Sequence, residues 1–60
     1  MILLSKLDGS KILVELTSLK YVESTPDSLL RFINGDTLLV LESLQEIEQR
    51  VLEFKKKVLN

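Results

Sequence analysis

Sixty residues with no cysteine, no histidine and a net charge of -1 rule out several classes at once. Disulfide staples and zinc sites built on Cys or His have no ligands here, and no basic excess marks a phosphate-binding face. A chain of this length buries only about 60% of the surface its unfolded form exposes, so with those staples gone a partner chain is the support left for its marginal stability.

Apolar residues make up 45% of the chain, and 14 of them are leucine. The opening run Met1-Ile2-Leu3-Leu4 is shorter than the roughly 7–15 residues of a signal-peptide core. No apolar run approaches the roughly 20 residues that span a bilayer. The expectation is a cytoplasmic protein of one domain, residues 1–60, β-rich over 1–42 and helical over 43–59, with no membrane insertion.

In chain order, residues 2–7 and 10–16 read as two strands around Asp8-Gly9. A three-residue loop, Leu7-Asp8-Gly9, sets Leu4 opposite Ile12 and Ile2 opposite Val14. It gathers Ile2, Leu4, Ile12, Val14 and Leu16 on one face and leaves Ser5, Lys11 and Glu15 on the other. A two-residue loop scatters these apolar groups. Because burial of one face selects the register, a bulged hairpin is expected, with Gly9 left-handed.

Leu19-Lys20-Tyr21-Val22-Glu23-Ser24-Thr25 ends as a strand leading into Pro26-Asp27, where proline suits the first central position of a type I turn. Leu19 and Val22, spaced by three, suggest a short helical turn starting at Thr17-Ser18. The next hairpin turns at Asn34-Gly35, the strongest short turn signal in the chain. A loop of Ile33-Asn34-Gly35 pairs Leu30 with Leu38 and Ser28 with Val40. It puts Leu30, Phe32, Leu38 and Val40 inside, and Arg31, Thr37, Leu29, Leu39 and Leu41 outside. Leu3, Leu7, Leu13, Leu29, Leu39 and Leu41 thus fall on outer faces, some to be covered by the helix and the rest left for a partner surface.

Ser43-Leu44-Gln45-Glu46 is a capping box, with Ser43 as N-cap and Glu46 at the third helical position. Leu44, Ile47, Val51, Phe54 and Val58 form an amphipathic stripe, widened by Leu52 and Leu59. Glu46/Arg50 and Glu53/Lys57 are spaced to pair along the helix, and Lys55, Lys56 and Lys57 suit its C-terminal dipole. The stripe is expected to pack mainly on its own sheet, with its far end extending to a neighbouring subunit. The fold class is α+β: a small antiparallel sheet or partly open barrel of about five short strands with two bulged hairpins, followed by one helix.

A catalyst is hard to assemble from these residues. Asp8, Asp27 and Asp36 sit in or beside turns, where turn chemistry explains them better than a cation site. Glu15 and Glu23 lie on strands, where they are able to face each other, though solvated carboxylates are the plainer reading. Ser5, Ser10, Ser18, Ser24 and Ser28 have no histidine to activate them, and Gly9 and Gly35 stand alone rather than in a phosphate-cradling loop. Phe32 and Tyr21 fit a base-stacking pair less well than Phe32 fits the core. No catalytic residue, cofactor or metal is expected. The residues singled out are the turn and cap positions Asp8, Gly9, Pro26, Asp27, Asn34, Gly35, Ser43 and Glu46. Leu13, Leu39, Leu41, Phe54 and Val58 are candidates for an oligomer contact.

The opening MILLSKLDGS, the stretch VESTPDSLLRFINGDTLLVLES and the short closing helix together resemble the FlbD/SwrD family of small flagellar and swarming-motility proteins. The residues on that pattern are Met1, Ile2, Leu7, Asp8, Gly9, Glu23, Pro26, Asp27, Asn34, Gly35, Glu42 and Ser43. Asp36, Leu38 and Leu41 depart from it, standing where relatives often carry a lysine, an aromatic and a basic residue. The resemblance implies a bacterial, non-enzymatic accessory of flagellar motor output. It would work through protein contacts, with stator or rotor proteins as partners, in the cytoplasm at the flagellar base. A homo-oligomer and no nucleic acid are expected; the alternative is a small-barrel regulator that binds RNA or DNA.

Overall fold

The computed structural model describes the backbone of residues 1–59 and the side chains of residues 1–57. Five strands precede one helix: β1 (Ile2–Ser5), β2 (Lys11–Val14), β3 (Leu19–Ser24), β4 (Ser28–Phe32), β5 (Thr37–Val40) and α1 (Leu44–Leu59). β1 and β2 form one antiparallel sheet, and β3, β4 and β5 form another in that order. A bridge between Lys6 and Val40 joins the two, and the Leu41 amide donates to the Ser5 carbonyl beside it at 2.9 Å. The strands therefore run β2-β1-β5-β4-β3 across an open, unclosed structure, as the α+β reading expects.

Both expected registers are present. Ile2 faces Val14 and Leu4 faces Ile12; Leu30 faces Leu38 and Ser28 faces Val40. At the first turn the Gly9 amide donates to the Lys6 carbonyl at 2.9 Å and the Lys6 amide to the Ser10 carbonyl at 2.8 Å. At the second, the Gly35 and Phe32 amides donate to the Phe32 and Asp36 carbonyls, both at 2.9 Å. Gly9 has φ of 90° and Gly35 of 96°, a region that residues with a Cβ enter at a cost.

The core is Ile2, Leu4, Val14, Leu30, Val40 and Ile47, with Ile12, Leu16, Leu19, Val22, Phe32, Leu38, Val51 and Phe54 packed round it. β1, β2, β4 and β5 contribute alternate residues, β3 contributes Leu19 and Val22, and α1 packs on them through Ile47, Val51 and Phe54.

The segment 16–24 departs from its expected form. A 3-10 turn covers Leu16–Ser18, but Leu19 and Val22 belong to β3, not to a helix. Their spacing of three comes from a bulge: Leu19 faces Phe32 while Tyr21 already faces Arg31. The extra residue returns Val22 to the core side. The loop joining β3 to β4 holds a cis Thr25–Pro26 peptide. Glu15 and Glu23 do not face each other, since Glu15 opens the 3-10 turn and Glu23 pairs with Leu29.

The helix stripe is narrower than its spacing suggests. Leu44 and Leu52 are exposed, so Ile47, Val51 and Phe54 carry the packing. The side chains of Val58 and Leu59 lie outside the described residues. Arg50 and Glu53 also choose other partners than expected. Arg50 pairs with Glu42, not Glu46, and Glu53 accepts a hydrogen bond from Gln49 at 3.3 Å.

Candidate functional site

Two features set this fold apart from a minimal sheet-and-helix packing. One is a polar junction inside it. The other is a row of leucines outside it.

The junction is built where β1, the end of β5 and the start of α1 meet. Glu42 has the same strand parity as Leu38 and Val40, which turns it inward; it is 7% exposed. The Ser5 amide donates to its Oε1 at 2.8 Å, and Arg50 Nη1 lies 3.1 Å from its Oε2. The Ser28 hydroxyl donates to the Glu42 carbonyl. Arg50 Nη1 also donates to the Leu3 carbonyl at 2.7 Å, so one guanidinium ties the helix to both sheets. Burial pushes the Glu42 carboxyl up, but the Ser5 amide and Arg50 stabilise the anion more, and its pKa falls from 4.5 to about 2.

Ser5 was expected on an outer face, yet it is buried. The end of β5 passes beside it, and Lys11 Nζ donates to its hydroxyl at 2.8 Å. Strand alternation within one hairpin carries no information about that neighbour. Glu42 itself appeared in the sequence only as a family-pattern position. Its inward parity, shared with Ser28, was the available signal.

The turn and cap residues occupy local frames. The Asp8 carboxylate accepts from the Ser10 hydroxyl at 2.6 Å and from the Ser10 amide at 2.9 Å. These bonds, the hydroxyl's first, hold its pKa below the ordinary value. Asn34 and Asp36 bond each other across the second turn, so Asp36 serves the turn. Thr25 donates through its amide to the Asp27 carbonyl at 3.2 Å, flanking Pro26. The Glu46 amide donates to the Ser43 hydroxyl at 3.1 Å, and that hydroxyl donates to the Glu46 carboxylate at 3.3 Å.

The outer face carries the leucines. Leu3 pairs with Leu13 and Leu29 with Leu39. Leu41 sits beside Ser5 at the joint between the sheets. Leu3, Leu7, Leu13, Leu39 and Leu41 are 40–61% exposed. The helix packs on the core side through Ile47, Val51 and Phe54, and of these five Leu3 borders it, sharing a groove with Arg50 and Phe54. Leu29 is half-buried. Phe54 is half-buried at the core margin. Phe32 also packs on the core, while Tyr21 lies outside with the Arg31 guanidinium 5.7 Å from its ring centre, so the two aromatics form no stacking pair.

Among the described residues no group of three or more His, Cys, Asp or Glu is placed to hold a metal ion. No described helix is long and apolar enough to cross a membrane.

Comparison with curated proteins and with solved structures returned no match. The family described as "Flagellar and Swarming motility proteins", FlbD, matches residues 1–59. That match runs through both glycine turns, the Glu42-Ser43 junction and the helix, and the chain therefore belongs to the FlbD family of flagellar and swarming motility proteins.

Proposed function

We propose that this protein is a cytoplasmic, non-enzymatic accessory that supports flagellar motor output through protein contacts, and that it does so as a homo-oligomer. The observation that carries the reading is the set of exposed leucines on the outer faces of the strands. Soluble monomers seldom leave so many large apolar side chains on one face without a partner, and these have no role in the core. Family membership supplies the motility context. The ionisable side chains support the same view, because those with a defined environment serve turns or the junction. A surface of this kind biases its partners toward one arrangement and makes or breaks no bond.

The test is complementation of a deletion strain, scored for swimming speed with filament number and folded protein level measured in parallel. Deletion should weaken motility while filaments are still built. Leu13→Ser/Leu41→Ser should fail to restore it at normal protein level, whereas Ser24→Ala and Glu15→Gln should restore it. Full motility from the leucine variant would contradict the reading.

A further inference from the structure

Between β1, β2 and α1 lies a groove of about 360 Å³ lined by Ile2, Leu3 and Phe54 together with the cations Lys11, Arg50 and Lys57. Met1 and Glu53 complete the lining. The chain as a whole is acidic, so this clustering of cations runs against its average. Glu42 offsets Arg50 from behind. Lys11 and Lys57 still outweigh Glu53, and Lys55 and Lys56 adjoin on the helix.

We propose that the groove receives an acidic segment of a partner protein, one that sets an apolar side chain against Ile2 and Phe54 and carboxylates against Lys57 and Lys11. The inference rests on the contact-based reading above and names the chemistry of the partner. Ile2 and Phe54 in the lining give a protein segment apolar surface to meet, which a phosphate backbone cannot use. Arg50 is already fixed by Glu42 and the Leu3 carbonyl, so it is a preorganised donor whose ordering cost folding has already met. Lys11 and Lys57 are exposed and supply attraction and specificity more than tight affinity.

The experiment is fluorescence anisotropy with a labelled amphipathic peptide of leucine and glutamate. Its leucine–glutamine and leucine–lysine counterparts, phosphatidylglycerol vesicles and single-stranded RNA serve as competing probes. The leucine–glutamate peptide should bind saturably and weaken as salt rises. Lys57→Glu, at an exposed site with no ion-pair partner among the described residues, should weaken it about fivefold. Lys20→Glu, the same charge change on β3 away from the groove, should leave it unchanged. Equal binding of the glutamine peptide, equal affinity of Lys57→Glu and Lys20→Glu, or binding of vesicles or RNA alone would overturn the proposal. A motile deletion strain would instead overturn the functional reading, so the two failures are distinguishable.

Discussion

The inside of the Glu42 junction and the outside of the strands treat their residues in opposite ways. At the junction a carboxylate is taken almost out of water, and its partners come from Ser5 and Arg50 on two different elements, while Ser28 holds the Glu42 carbonyl. On the outer face, large apolar groups stay in water with nothing covering them. The first arrangement is what folding demands, because a buried anion left unpaired is costly. The second is not demanded by folding at all. In a chain this small, the residues that the fold does not use are the better guide to what the molecule does.

If that contrast is right, substitutions inside should act on stability and substitutions outside on assembly. The largest effect is expected at Ile47, which is 2% exposed on the helix face that closes the core. Ile47→Asp should cost more than about 4 kcal/mol, enough to unfold a domain of this size, as circular dichroism would register. Glu42→Ala should cost about 2–3 kcal/mol in urea denaturation, since it strands the Ser5 amide and frees Arg50.

The same carboxylate gives a pH test. Its pKa is lower in the folded protein than the ordinary 4.5, so its contribution is complete above that value and is lost as pH falls toward about 2. The stability difference between the wild type and Glu42→Gln should shrink across that window. A difference that grows on acidification would mean that Glu42 is held neutral.

Gly35→Val should cost about 1–2 kcal/mol. A Cβ there meets nothing within 4 Å, so the penalty is the backbone conformation alone, and Gly35→Asn should cost less because asparagine tolerates positive φ better. The smallest change in monomer stability, within about 0.5 kcal/mol, is expected for Leu13→Ser or Leu41→Ser. These same variants should most weaken assembly and motility. A large loss of monomer stability from either would erase the distinction between the two regions.

What could be read from the sequence follows the range of the forces involved. The two hairpins were legible because Gly9 and Gly35 pin their loops and alternation chooses which face is buried, both within about a dozen residues. The helix start was legible from Ser43 and Glu46. The β3 bulge was misread as a helical spacing, since Leu19 and Val22 look alike in either case and the ladder with β4 decides between them. Arg50 was given its helical neighbour Glu46, but Glu42 offers a desolvated site with two acceptors, counting Leu3, and wins. The junction depends on residues 37 and 47 positions apart, a separation that local pattern does not reach. The outer leucines were identified as surplus, and all but the half-buried Leu29 are exposed.

The central claim, that the outer leucines are a contact surface, is tested most directly by the mass of the purified protein in solution across the micromolar range. Sedimentation equilibrium should give a multiple of the 6.9 kDa chain mass, falling to that of one chain in Leu13→Ser/Leu41→Ser with the fold intact. A wild-type mass of 6.9 kDa throughout would contradict the account.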